Sequence, residues 1–401
     1  MLEALRAWCA TPQGEISYRL YVVLFLLTGG LTYGLTHVMI WLAPRLGAVD
    51  KPDARRIHQR PVPKLGGLAL FVAIAAGLVV AAALHPWVAR VVLTPQSLAI
   101  FVGMAIMLAV GVYDDLFGVS WMWKFAFQIV AACIVIRHGM VIMKLTNPLG
   151  AEHIQLNPLL AFVFTLVWLI GITNAVNLSD GLDGLATGIV LIVSGVTFAN
   201  SLHLMVMRPE QTEAYFVFPA VTSICVAAAS LAFLRFNFYP ARIFLGDTGS
   251  LFLGFWLACT AVRSSQISTT TVALLVPVIA LGLPILDTVI AFLRRAARRR
   301  NPFQADLEHI HHKMLESGLS HPETVLVLYG FCLLLGIAAL VVAYKRHQYA
   351  GVILFVLTAI VLVGFRKFGI LDITRLWGIR GNRDDQREPP SRRIRRREQR
   401  R

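Results

Sequence analysis

Long apolar runs broken by short polar connections dominate the chain. Eleven such stretches stand out: 18–44, 65–85, 98–113, 120–137, 158–178, 185–205, 215–234, 249–263, 271–293, 324–343 and 349–365. A hydrocarbon core about 30 Å thick takes roughly 20 residues of helix to cross. The pattern therefore predicts an all-α fold, a polytopic integral membrane bundle of about ten or eleven transmembrane helices. Runs 98–113 and 249–263 are short, and each abuts a motif bearing aspartate. Three regions follow: a short N-terminal segment (1–17), a transmembrane domain (18–365) and a polar tail (366–401).

Composition agrees with the pattern. Hydrophobic residues make up 57% of the 401, charged residues only 15%, and the mean hydropathy is +0.68; a soluble domain carries about a quarter charged residues. Residues 1–17 contain Glu3, Arg6, Pro12 and Glu15 and no sustained apolar core. They do not resemble a cleavable signal peptide, so the first span is expected to stay as an anchor. The five cysteines are scattered without a CxxC pair, which argues against a disulfide framework or a cysteine metal site.

Charge changes the picture in two ways. Lys and Arg concentrate in alternate connections: with the C-terminus inside, 28 of the 37 lie in the inside segments. This predicts an outside N-terminus and a cytoplasmic C-terminus. The net charge of +15 is also no sign of nucleic-acid binding, because 13 of the basic residues sit in the tail ending "SRRIRRREQRR". Such a tail suits attraction to anionic lipid.

The informative polar residues gather at the ends of spans. "GVYDDLFG" carries Asp114 and Asp115, "NAVNLSDGLDGLA" carries Asn177, Asp180 and Asp183, and "RIFLGDTGS" carries Phe244 and Asp247. "EHIHHKMLESGLS" adds His309, His311 and His312. The topology drawn from Lys and Arg alone puts all of these on the cytoplasmic side. Any one aspartate could merely cap a helix, but five carboxylates converging on one face point to an ion or substrate site. Neighbours on a helix point about 100° apart. One carboxylate of the Asp114–Asp115 pair can therefore meet a cation while the other meets a second ligand. Like charges this close repel unless a cation intervenes, and an all-oxygen set suits Mg²⁺.

Other groups carry two readings each. His309 and His312, three residues apart, could hold zinc, but no further ligands complete a tetrahedral set. They more naturally hydrogen-bond phosphate oxygens, and the basic run 294–300 either joins them or, as the preferred reading, is only a positive-inside topology signal. Asp287, inside the run 271–293, is either a site group or a buried acid paired with a basic neighbour. The loop 49–67, with His58 and Arg60, is either a topology signal or a basic rim for polyanionic substrates.

Taken in order, "GVYDDLFG", "NAVNLSDGLDGLA", "IFLGDTGS" and "HIHHKMLESGLS" resemble the polyprenyl-phosphate N-acetylhexosamine-1-phosphate transferases. The likeness runs from about Val49 to Tyr329 and includes the "DKP…HQ…P…GG" loop. The extended histidine loop is closest to the branch that uses UDP-N-acetylglucosamine and undecaprenyl phosphate; the "NLSDGLDGLATG" wording is closer to the phospho-muramoyl-pentapeptide enzymes. The resemblance implies transfer of a sugar-1-phosphate from a UDP-N-acetylhexosamine to undecaprenyl phosphate with release of UMP. It also implies a bacterial cytoplasmic membrane, a cytoplasmic active site and a lipid-facing groove for the prenyl chain; a homodimer stays open.

By the same resemblance, Mg²⁺, or Mn²⁺ in its place, would rest on Asp247 with Asp115 or Asn177. Asp114 would meet the lipid phosphate as base or positioning group. Asn177, Asp180, Asp183 and Phe244 would form the nucleotide site, with Asp183 accepting from uracil and Phe244 stacking on it. Lys124, His309, His311 and His312 would hold phosphate or sugar. Direct attack by the lipid phosphate competes with an aspartyl-phosphate route. A phosphate monoester is largely dianionic at neutral pH, which favours direct attack. Two other classes are weighed against the enzyme: a cation-coupled transporter, which would show midplane acids and repeats, and a non-catalytic lipid-binding scaffold.

Overall fold

The computed structural model describes residues 12–50, 61–145, 154–207, 216–267, 280–297 and 310–344. Among these are twelve helices: α1 (Pro12–Leu42), α2 (Gly66–Leu84), α3 (Pro86–Val92), α4 (Pro95–Phe117), α5 (Trp121–Arg137) and α6 (Pro158–Ser179), followed by α7 (Leu185–Met207), α8 (Val217–Asn237), α9 (Gly246–Ile267), α10 (Gly282–Ala297), α11 (Ile310–Glu316) and α12 (His321–Tyr344). Two minimal antiparallel hairpins interrupt them, β1 (Val49–Asp50) with β2 (Val62–Pro63) and β3 (Lys144–Leu145) with β4 (Ile154–Gln155). Seven helices, α1, α2, α4, α6, α7, α8 and α12, are long and apolar enough to cross a membrane. The expected polytopic helical bundle is what the chain forms. The run 349–365 and the tail lie outside the described residues.

Both short runs become full-length helices. Helix α4 starts at Pro95, whose missing N–H costs nothing in a first turn, while Thr94 accepts from the Ser97 N–H at 3.2 Å. It continues past residue 113 to Phe117, so Asp114 and Asp115 form its last turn. Helix α9 spans 22 residues, and every position from Thr248 to Ser264 is buried. A helix that faces protein on all sides can carry Thr248, Ser250, Thr260 and Arg263. Its partners supply the apolar contacts that lipid would otherwise make.

Helices α8 and α9 form the centre. Helix α8 packs on α7, α1 and α2, and α9 packs on α4, α6 and α2. Phe218, Phe233, Phe236, Phe252, Phe255 and Trp256 are fully buried between them and their neighbours. Outer helices turn large apolar side chains outward, such as Val79, Leu159 and Val167. That inversion is what a hydrocarbon solvent selects. Hydroxyls within spans bond back to their own helix, as Thr165 does to Ala161 O and Thr222 to Phe218 O.

The first turns of α2, α5 and α9 meet the last turns of α4 and α6 at one end of the bundle. There the chain entering α2 clamps the chain entering α9: Gly66 N–H donates to Phe244 O at 3.1 Å and Gly67 N–H to Leu245 O at 3.0 Å. A Cβ on Gly67 would lie 2.2 Å from the backbone of Gly249. Only a residue without a side chain lets these two backbones touch.

Candidate active site

Three carboxylates define the site. Asp114, Asp115 and Asp247 each offer an oxygen within 4.8 Å of the others. Asp114 and Asp115 diverge as helical neighbours should. The Asp114 Oδ1 accepts the Val119 N–H at 2.6 Å, and its Oδ2 accepts from Lys124 Nζ at 2.8 Å. Lys124, on the first turn of α5, also donates to Asp247 Oδ2. Its ammonium is thus clasped between acids from two other helices.

Asp115 turns the other way, into the start of α9. Its Oδ2 accepts the Thr248 N–H at 3.0 Å and the Thr248 hydroxyl at 2.6 Å, and its Oδ1 faces the Asp247 N–H at 3.3 Å. A carboxylate at a helix N-terminus satisfies otherwise unpaired N–H groups and the helix dipole. Asp115 caps α9 from a different helix, and so aims Asp247. Lys64 Nζ lies 3.3 Å from Asp50 and 4.0 Å from Asp115, adding a second ammonium beside the acids.

Asn177, near the end of α6, donates Nδ2 to Asp247 Oδ1 at 3.1 Å and to Ser250 Oγ at 2.8 Å. Its amide N–H groups thus orient Asp247 through Oδ1, while Lys124 holds Oδ2. Asp180, which follows α6, is raised well above the ordinary carboxylate range by burial, and then by the charges of Asp247, Asp115 and Asp183. Asp183 turns to the next loop, where its Oδ2 accepts the Ala241 N–H at 2.9 Å. That loop carries Phe244, a partly buried residue whose backbone N–H donates to Pro63 O at 2.8 Å.

An apolar groove of about 790 Å³ adjoins the acids. Helix α4 lines it with Ile106, Ala109, Val110 and Tyr113, and α5 with Trp123, Phe127 and Val130. Both sets follow the three-and-four spacing of one helix face. Gly118, Val119 and Ser120 close its polar end, and Val119 is the residue whose N–H meets Asp114.

Comparison with known proteins bears on what such a site does. Residues 97–265, which span the acids, match the family described as glycosyl transferase family 4. A Bacillus subtilis protein named a probable undecaprenyl-phosphate N-acetylglucosaminyl 1-phosphate transferase is 34% identical over 323 residues, 80% of this chain and 85% of its own length. A Mycolicibacterium smegmatis decaprenyl-phosphate N-acetylglucosaminephosphotransferase is 36% identical over 75% of this chain and 76% of its own. A Thermotoga maritima undecaprenyl-phosphate alpha-N-acetylglucosaminyl 1-phosphate transferase is 27% identical over 77% and 87%. The chain belongs to glycosyl transferase family 4.

In this family 4 member the structure gathers Asp114, Asp115, Lys124, Asn177 and Asp247 into direct contact, and places Asp180, Asp183 and Phe244 on the flanking loops. His311 lies against the loop that follows α6: a Cβ on Gly181 would sit 2.8 Å from its Nε2. His312 packs on His311, with ring centroids 4.4 Å apart. His309, His58 and Arg60 fall outside the described residues. Asp287 is buried, and its Oδ1 accepts the Ile310 N–H at 2.9 Å, which fixes the start of the histidine helix α11.

Sequence reasoning missed several residues that the structure places in or beside this cluster. Lys64 was hidden among the basic residues of its loop. Thr248 and Ser250 lay inside a quoted motif, but nothing in "GDTGS" says which acid they bond. His321, one residue past "HIHHKMLESGLS", was passed over entirely; its Nε2 accepts the Asp183 N–H at 2.9 Å.

Proposed function

We propose that this protein transfers N-acetylglucosamine-1-phosphate from UDP-N-acetylglucosamine to undecaprenyl phosphate, releasing UMP, at the cytoplasmic face of a bacterial membrane. The observation that carries this reading is the Lys124 ammonium, clasped by Asp114 and Asp247 beside an apolar groove open to the outer faces of α4 and α5. An amphipathic acceptor with a phosphate head and a hydrocarbon tail matches that juxtaposition of charge and groove. The names of the relatives support the sugar and the polyprenyl carrier.

The acid cluster fits Mg²⁺. Its donors are carboxylate oxygens, with no thiol among them, and the three acids within 4.8 Å outnumber the two ammonium groups, Lys124 and Lys64, that lie against them. Asp247 and Asp115 would hold the ion, with Asn177 orienting Asp247. When bound, it would supply charge neutralisation on the donor diphosphate. The remaining work falls to the chain itself, since phosphoryl transfer depends mainly on alignment and electrostatics. Lys124 attracts and positions the lipid phosphate. Asp183 and Phe244 take the uracil, Asp180 shapes that pocket, and His311 with His312 steadies the diphosphate or sugar. Both Asp114 oxygens already accept hydrogen bonds. These bonds tie Asp114 to the Lys124 ammonium, which supports a positioning role, and a phosphate monoester that is largely dianionic at neutral pH favours direct attack over an aspartyl-phosphate route.

The test uses purified full-length protein and radiolabelled UDP-N-acetylglucosamine. UMP release should require both undecaprenyl phosphate and Mg²⁺, and Asp247→Asn should lower turnover by about 10²-fold or more. UDP-N-acetylglucosamine should be preferred over UDP-N-acetylmuramoyl-pentapeptide. Nucleotide release without the lipid, or full activity in Asp247→Asn, would reject the proposal.

A further inference from the structure

Helix α12 grips the nucleotide-side loop at two successive residues. Its first residue, His321, accepts the Asp183 N–H through Nε2 at 2.9 Å. Two turns further on, the Tyr329 hydroxyl donates to the Gly184 carbonyl. The same tyrosine ring fills the space beside Gly188, where a Cβ would fall 2.0 Å away. Helix α12 therefore binds an N–H and a C=O on either side of the Asp183–Gly184 pair.

The His321 ring also reaches the facing loop. It stacks on Tyr239, with centroids 4.6 Å apart and planes at 28°. Two residues on, the Ala241 N–H meets the Asp183 carboxylate. The imidazole is a wedge between the loop that holds Asp183 and the loop that leads to Phe244. Because Nε2 accepts, the ring proton resides on Nδ1. That atom is buried and has no hydrogen-bond partner among the described residues. An unmet buried donor is uncommon in a folded protein, and here it accompanies the acceptor that fixes the Asp183 amide.

We infer that His321, seconded by Tyr329, is a positioning residue for the nucleotide half of the site. As a neutral imidazole it holds the Asp183 loop in the conformation that receives the base, and it does not touch the lipid half. The inference rests on the reading of Asp183 as a nucleotide contact. Its distinguishing consequence is that disturbing α12 changes recognition of one substrate and leaves the other alone.

The experiment measures kcat and both KM values in the purified full chain. His321→Phe keeps a flat ring but has no acceptor. It should raise KM for UDP-N-acetylglucosamine roughly five- to tenfold, the factor expected for one hydrogen bond. Its kcat and its KM for undecaprenyl phosphate should stay within about twofold. His321→Gln, whose Oε1 can accept, should recover part of the loss, and Tyr329→Phe should shift the nucleotide KM in the same direction. An unchanged nucleotide KM in His321→Phe overturns the inference. So does an equal change in both KM values with a lowered melting temperature in the Phe, Gln and Tyr329→Phe variants, since that is a general packing role. Asp183→Asn separates the two levels. If it weakens the nucleotide while His321→Phe does not, this inference fails and the nucleotide reading stands. If Asp183→Asn has no effect on nucleotide KM, both fall.

Discussion

Gly246→Ala tests the claim that Asp115 acts by capping α9. Gly246 has φ +72, and a Cβ there would lie 2.3 Å from Asp115 Oδ2. Two costs add. An alanine in the left-handed region costs about 1–2 kcal/mol. The carboxylate must also retreat by roughly 1 Å to reach an ordinary C···O separation. That movement strains its bonds to the Thr248 N–H at 3.0 Å and the Thr248 hydroxyl at 2.6 Å. Hydrogen bonds to a charged acceptor contribute about 1.5–3 kcal/mol each, so with the dihedral cost the total is about 2.5–5 kcal/mol if one is lost and about 4–8 kcal/mol if both are, before relaxation. Asp247, the next residue, is carried off Lys124 with the helix start, and a misplacement near 1 Å can lower turnover about 10²-fold. Gly47→Ala is the control: Gly47 has φ +79 with nothing within 4 Å of the added carbon, so only the dihedral cost applies. Melting temperature and UMP release are measured on both. Equal losses in the two variants, or Gly246→Ala turnover within about threefold of wild type, would refute the carboxylate contact as the cause.

Two further outcomes follow from the charges. Lys124→Met removes the ammonium between Asp114 and Asp247 and should lower turnover about 10²-fold or more; thermal stabilisation by added Mg²⁺ should exceed that of wild type, because an ion then replaces the missing cation, and an identical Mg²⁺ shift would count against the site. Asp180 has a raised native pKa, so the folded state binds its proton more tightly than the unfolded chain and stability should fall as pH rises from about 4 towards that raised value. In chelator, Asp180→Asn should flatten this part of the wild-type melting profile, and parallel profiles would show that the carboxyl is not destabilised by its surroundings.

The apolar runs determined the bundle by themselves. Burial in hydrocarbon leaves a helix as the economical way to satisfy its own backbone, so run length was enough to place α1, α2, α6, α7, α8 and α12. The acidic motifs were legible for a related reason: carboxylates at span ends are costly unless used. Helix α9 was harder. Its run spans only 249–263 where the helix spans Gly246–Ile267, because hydropathy cannot tell a helix surrounded by protein from one that has stopped. Only packing against α4, α6 and α2 shows that the polar ends belong to it.

Pairing was likewise beyond the sequence. "GVYDDLFG" gives two adjacent acids, but nothing in it says that Asp114 takes Lys124 while Asp115 caps a helix more than a hundred residues away. Those assignments depend on which helix ends meet. Gly66 and Gly67 against the start of α9 settle that meeting, through close backbone contacts that leave no local trace. The groove beside Asp114 needs two helices to exist at all, and His321 gains its role only because α12 folds back over the Asp183 loop. Local patterns fixed which residues carry charge and which face lipid; long-range contact decided which charges neutralise one another, since electrostatic partners are chosen by distance in space.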